Sequence, residues 1–373
     1  MLIARRRCSY VVALAAMCLT SLMAGCQAPP DPVPASAAPT AAPTLTELLE
    51  HQLEPFHART GVYVKDLATG QEAGVRADQA FNSFSVIKLA IMVRAFQLSD
   101  ANTLNLDERV EVRRQDLRDG SGMLYAFDPG LRVTLRDLLT QMIATSDNTA
   151  TDMMLERVGG LAALNAWLKE AGYGSTRMVQ STLDFFRQPL MLVDPGNSSL
   201  SAEDVFAYWT TPYVISPRRL AQQSDRGAAL QKAAPFASIE KKVMSLWNDD
   251  PNYWLGSMTA RETGRMLEGI QLGTFTSQES SRQMGLMLGE QRAGQLRLPH
   301  YLSWPDYAVA HKTGDGPPVI ANDVGMVHAP NGRTIIISFF SAAIAEPYAE
   351  HEDRIGRLAR AVVDYLVANP TGT

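Results

Sequence analysis

Phe81-Asn82-Ser83-Phe84-Ser85-Val86-Ile87-Lys88-Leu89-Ala90-Ile91-Met92-Val93-Arg94-Ala95-Phe96 decides how the rest of the chain is read. From Ser85 onward the stretch has no Gly or Pro, and its apolar residues are dense enough for a helix buried on most sides. A lysine is out of place in such a helix. Ser85 lies three residues before Lys88, a spacing that puts both side chains on one helical face. Burial weakens a lysine's preference for its charged form and makes it a candidate proton acceptor. A serine in the first turn also lies near unpaired backbone N–H groups and the positive end of the helix dipole. These are the parts of an activated nucleophile. Alone, Ser-x-x-Lys fits a surface serine and a snorkelling lysine just as well, and the second copy, Ser238-Ile239-Glu240-Lys241, is taken as chance.

The surrounding chain has 373 residues, 46% hydrophobic and 20% charged, which suits a globular protein with a real core. Formal net charge is −5 with no basic block, so nucleic acid is not an expected partner. The first residues resemble a targeting leader. Arg5, Arg6 and Arg7 form a basic start, and Ser9 to Ala24 is an apolar stretch too short for an ordinary membrane span. Leu22-Met23-Ala24-Gly25-Cys26 resembles a bacterial lipobox, with Met23 where Leu is commoner. That resemblance implies a signal peptide over 1–25, lipidation of Cys26 and a periplasmic protein anchored to a membrane; a plain secretory signal would leave it soluble in the periplasm. Cys8 and Cys18 leave with the leader, so the mature domain keeps no thiol for a disulfide or nucleophile. Residues 26–44 are Pro/Ala-rich and read as a tether.

Pattern places a helix from Thr44 or Thr46 to about His57, then a hairpin from Gly61-Val-Tyr-Val-Lys-Asp-Leu67 to Gln71–Arg76. Residues 99 to about 290 read mostly as helices and loops; Leu131 to Thr134 opens a helix, with Thr134 capping Leu135 to Ile143. Strand candidates return at Tyr307–Thr313, Asn322–Val327 and Arg333–Phe340, the last two joined at Pro330-Asn331-Gly332, and Glu350 to Ala368 closes as a helix. The expected fold is α/β: an antiparallel sheet flanked by helices and built from both chain ends, 45–98 and 276–373, with an inserted all-α domain at 99–275.

Three motifs occur in order: Ser85-Val-Ile-Lys88, Ser146-Asp-Asn148 and Lys312-Thr-Gly314. Each is weak alone. The ordered set resembles the class A β-lactamases and penicillin-binding proteins, and Leu138–Leu155, Met258-Thr-Ala-Arg-Glu262 and Asn322-Asp-Val324 add to that likeness. The resemblance implies a β-lactamase/transpeptidase-like fold and an acyl-enzyme at Ser85. In it Lys88 takes or relays the serine proton, and Ser146 passes a proton to the leaving nitrogen. Asn148 hydrogen-bonds a substrate amide, while Lys312 and Thr313 hold a carboxylate. Gly314 completes the third motif, and the backbone N–H groups of Ser85 and Asp315 make an oxyanion hole. The implied substrate is a small β-lactam or acyl-peptide, with no cofactor and a monomeric chain. Asp147 reads as structural, and Ser146 could instead be a helix cap. The six histidines show no metal-ligand spacing, and His311 is expected to face away from Lys312.

One departure matters. Class A enzymes carry a water-activating glutamate on a loop after the helical core, and aligning Thr176-Arg177-Met178 with that loop puts Thr182 in its place. Asp184 is the nearest carboxylate and the candidate substitute, with Asp194, Glu203 and Asp204 further on. The chain is longer than the family pattern over about 185–252, a segment rich in aromatics (Phe185, Phe186, Phe206, Tyr208, Trp209, Tyr213) that is read first as core packing. β-Lactam hydrolysis is the leading expectation. A D,D-peptidase or esterase on the same scaffold, or an envelope lipoprotein that is acylated without turnover, are the alternatives.

Overall fold

The computed structural model describes residues 43–209, 224–330 and 332–369. The expected leader, Cys26 and nearly all of the tether lie outside the described residues, as do Tyr213, a basic pair at Arg218 and Arg219 in the same segment, and Asn331 of the expected turn. Thr44 opens α1 (Leu45–Leu53) through a capping box with Glu47. The helix stops short of His57, since Pro55 has no N–H to extend the ladder. β1 (Arg59–Asp66) and β2 (Glu72–Val75) pair as the expected hairpin. β3 (Ala80–Asn82) then leads through a 3-10 turn, Phe84–Ile87, into α2 (Lys88–Asp100).

Thr134 caps α3 (Leu135–Ala144), as the sequence predicts, but Leu131–Thr134 leading into the cap is a strand: β4 (Arg109–Val112) and β5 (Leu131–Thr134) form a two-stranded antiparallel ribbon. Arg109-Val110-Glu111-Val112 alternates with period two, which suits a half-buried strand. The helical layer continues with α4 (Asn148–Arg157) and α5 (Gly160–Glu170), then β6 (Arg177–Met178). The chain then forms α6 (Thr182–Met191), α7 (Ala202–Trp209), α8 (Asp225–Ala233) and α9 (Glu240–Asp249). Ser201 caps α7 by accepting from the Asp204 N–H.

β7 (Gly256–Thr259) joins β3 and β6 in a small sheet, and Thr259 caps α10 (Ala260–Leu272). α10 lies on the main sheet: a Cβ at Gly264 would meet the Tyr63 ring at 2.3 Å, and Lys65 of β1 pairs with Glu268 at 2.7 Å. α11 (Gln278–Gly289) precedes β8 (Ala308–Gly316), β9 (Ile320–His328), β10 (Thr334–Ala342) and α12 (Tyr348–Ala368).

The main sheet is antiparallel in the order β2-β1-β10-β9-β8, so the chain's two ends meet in one sheet at β1 and β10. Alternation along its strands feeds two cores. Val62, Val64, Ile335, Ile337 and Phe339 pack with α1 and α12, whereas Tyr63, Ile336 and Phe340 face the helical layer. In α2 every residue from Lys88 to Val93 is buried, as its apolar composition requires. This buried helix and the edge strand β8 define the place where the three motifs meet.

Candidate active site

Ser85 sits in the turn before α2, half-buried, at a cleft of about 410 Å³ that is also lined by Ser146, Asn148, Thr182 and Asp315. The turn is held from several sides. Asn82 Oδ1 accepts from the N–H groups of Phe84 and Leu255, and Asn322 Nδ2 donates to the carbonyls of Asn82 and Ser83. A Cβ at Gly314 would lie 2.2 Å from the Ser83 carbonyl oxygen, so only glycine lets β8 approach the serine turn this closely. Phe84 adopts φ +44°, a left-handed conformation costing on the order of 1–3 kcal/mol for a bulky residue, which the surrounding bonds sustain.

Lys88, the first residue of α2, is fully buried. Its Nζ donates to the Ser146 carbonyl at 2.6 Å, to Asn148 Oδ1 at 2.8 Å and to Ser146 Oγ at 3.2 Å. Lys312 reaches the same hydroxyl from β8, with Nζ 3.0 Å from Ser146 Oγ. Ser146 therefore bridges two buried amines. It turns between α3 and α4 at φ +57°, while the adjacent Asp147 caps α4 through the Ala150 N–H and accepts from the N–H groups of Met123 and Leu124. The helix cap is thus Asp147, and the Ser146 hydroxyl is left for the cleft.

Burial pulls the Lys88 amine well below its ordinary pKa, and the neighbouring Lys312 charge adds to the effect. Burial also lowers Lys312, to about 8, against the opposing influence of the Asp315 and Asp323 carboxylates. Burial thus favours the neutral, proton-accepting form of Lys88, while Lys312 at about 8 stays mostly charged at neutral pH. Asn148 Nδ2 donates to the Asp119 carbonyl at 2.7 Å, leaving its second N–H for a ligand. Thr313 is buried with its Oγ1 unpartnered. The Asp315 carboxylate accepts from Arg297 and from the Tyr348 hydroxyl. His311 faces away from Lys312 and pairs with Asp323 at 2.8 Å. Ser238 of the second Ser-x-x-Lys lies in a separate exposed turn.

Asp184 is not brought to the site, a correction to the sequence expectation. It is the third residue of α6, where Ser181 accepts from its N–H, and its carboxylate pairs with Arg187 at 2.5 Å. Its side chain is 54% exposed, on the outer side of the helix start. Nor do the other candidates line the cleft. Asp194 bonds the Gly196 N–H, Glu203 faces Arg114, and Asp204 is held by Ser201 and Ser224. Among the described residues Asp315 is the one carboxylate lining the cleft. Asp184→Asn is accordingly expected to leave acyl release within about twofold of the parent, since exposed acids carry little coupling to a distant site; a larger loss in single-turnover release would place the base at Asp184 after all.

Thr182, two residues earlier, does face the cleft. Its hydroxyl bonds the Asn148 carbonyl at 3.3 Å, and its N–H donates to Asp152 Oδ1 at 2.8 Å. Asp152 was not singled out in the sequence. It also accepts from the Leu183 N–H and from Arg118 at 2.7 Å, and so ties the start of α6 to α4. Its position one turn after Asn148 on α4 was the available signal.

The match to a known family model, the beta-lactamase enzyme family, extends over residues 42–366. The chain belongs to the beta-lactamase enzyme family. It is 22% identical to beta-lactamase VEB-1 of Pseudomonas aeruginosa over 330 residues, 87% of this chain and 90% of that protein. An ancestral class A beta-lactamase (GNCA) superposes with a TM-score of 0.64 at 23% identity, covering 86% of this chain and all of the other. A point mutant of PBP-A, solved as an acyl-enzyme complex with penicillin G, superposes at 0.61 with 21% identity over 87% and 98% of the two chains. The fold is that of class A beta-lactamases.

Proposed function

We propose that the protein is a serine hydrolase acylated at Ser85 by β-lactams, with turnover limited by release of the acyl group. The observation that carries this is Ser146 Oγ, held 3.2 Å from the Lys88 amine and 3.0 Å from the Lys312 amine beside the serine turn. In the forward step Ser85 Oγ bonds to the lactam carbonyl carbon, and its proton passes to neutral Lys88. The oxyanion is held by the N–H groups of Ser85 and Asp315, each worth about 3–4 kcal/mol in comparable sites. As the ring C–N bond breaks, the nitrogen takes the Ser146 proton, which Lys88 restores. Hydrolysis of the resulting ester needs a water deprotonated at the cleft. Thr182 has no group of suitable basicity for that, and the Asp315 carboxylate is tied to Arg297 and Tyr348. A missing general base costs about 10²–10⁴ in rate. The PBP-A neighbour, described as an acyl-enzyme with penicillin G, agrees with a fold that can hold such an ester.

Mixing the protein with a chromogenic cephalosporin is expected to give a burst of one equivalent followed by slow release. Burst rate should rise with pH as Lys88 loses its proton, and fall above about 8 as Lys312 loses its charge. Sustained fast turnover without a burst would overturn the limiting step, and a rate still rising past about pH 9 would remove Lys312 from the mechanism.

A further inference from the structure

One part of the cleft wall is apolar and is built largely by α6, α7, α9 and the turn before α9. Phe185 and Phe186 of α6, Trp209 at the end of α7, Phe236, and Met244 and Trp247 of α9 all line it together with Ser85. They form a connected wall starting at the residue before the nucleophile. Phe84 meets Phe185 and Trp247 edge-on, each at 5.4 Å between centroids, and Phe185 stacks on Trp247 at 5.1 Å. Outward, Phe186 meets Trp209 at 5.5 Å, and Trp209 meets Phe236 at 4.9 Å. Phe185 and Trp247 are buried, as a core reading of the aromatic stripe requires, but Phe186, Trp209, Phe236 and Met244 are only partly covered. Trp209 Nε1 is spent on the Phe186 carbonyl at 2.9 Å, so this residue offers the cleft ring surface without a free donor. At about 410 Å³ the cleft falls within the range of roughly 300–1,000 Å³ usual for small-molecule sites.

We propose that this wall is an acyl-chain subsite, and that the acyl donor preferred by Ser85 carries a bulky apolar acyl group, aryl or medium-length alkyl. The subsite rests on Ser85 being the nucleophile. Continuity fixes the occupant: the acyl group bonded to Ser85 Oγ starts at the Phe84 end of the wall, and water is displaced from ring faces as the chain lengthens. The same specificity extends to activated esters. Ser85 Oγ bonds to the ester carbonyl carbon, the aryl oxide leaves with the electron pair of the broken C–O bond, and the serine proton passes through Lys88 to solvent.

The test uses the full-length protein with p-nitrophenyl acetate, butyrate, hexanoate, octanoate and phenylacetate, reading the burst of nitrophenolate above the Ser85→Ala background. Acylation is expected to rise roughly two- to fourfold per added methylene up to hexanoate or octanoate. Phenylacetate should exceed acetate by roughly tenfold or more. Phe236→Gln, at a partly exposed position, should lower octanoate acylation by roughly tenfold and leave acetate within about twofold; Met244→Gln should act in the same direction. Acetate reactivity in each variant reports that the fold is intact. A series that is flat or falls with chain length, while acetate or a β-lactam still acylates Ser85, overturns the subsite alone. Octanoate acylation unchanged in both variants, with acetate reactivity retained, overturns it too. No acylation by any donor overturns the role of Ser85 and the subsite with it.

Discussion

Replacing Thr182 by glutamate is expected to raise acyl release by about 10²–10⁴-fold while changing the acylation rate by about threefold at most. Thr182 is the first residue of α6 and lines the cleft, so a carboxylate there gains from the helix N-terminus and points toward the acyl ester. Asp152 accepts from the Thr182 N–H at 2.8 Å, and its nearby charge pushes a new carboxyl upward toward the range a general base needs. Arg118, paired with Asp152 at 2.7 Å, limits that repulsion. Thr182→Gln has nearly the same shape without the basicity. Steady-state release after the cephalosporin burst separates the two: gain in the glutamate variant alone supports a missing base, and equal rates in both variants would sink it.

Lys88→Met should lower acylation of Ser85 by about 10²–10⁴-fold and remove the rising limb of its pH profile. Methionine fills a similar volume, so the effect reports the lost proton acceptor more than a cavity. The variant also leaves Asn148 Oδ1 without its present donor, at about 1–3 kcal/mol for a buried acceptor left unsatisfied, while the Ser146 carbonyl keeps the Ser121 hydroxyl at 2.6 Å. Thermal unfolding measured alongside separates a stability loss from a chemical one. If Lys88→Met acylates at the parent rate with an unchanged profile, the proton goes elsewhere.

Much of the site could be read from the chain because its signals are local. Ser85 and Lys88 are three residues apart, Ser146 and Asn148 lie within one turn, and Gly314 is demanded by the close pass of β8 beside Ser83. Three-dimensional orientation was not legible in the same way. Thr182 and Asp184 are neighbours in sequence, yet one faces the cleft and the other pairs with Arg187 in solvent. Counting to the nearest carboxylate therefore chose the wrong side of a helix start. The aromatic stripe posed the same problem: Phe185 is buried, while the adjacent Phe186 keeps part of its surface open at the cleft. The β4–β5 ribbon was hidden because its two short strands begin far apart in the chain, at Arg109 and Leu131, and the helix cap at Thr134 outweighs them in pattern.

Intact-mass measurement after mixing with benzylpenicillin, followed by peptide mapping, tests the central claim most directly. The expected result is one acyl adduct per chain, on the peptide carrying Ser85, persisting after free penicillin is removed and absent from Ser85→Ala. A protein that stays unmodified, or an identical adduct in the Ser85→Ala variant, would contradict it.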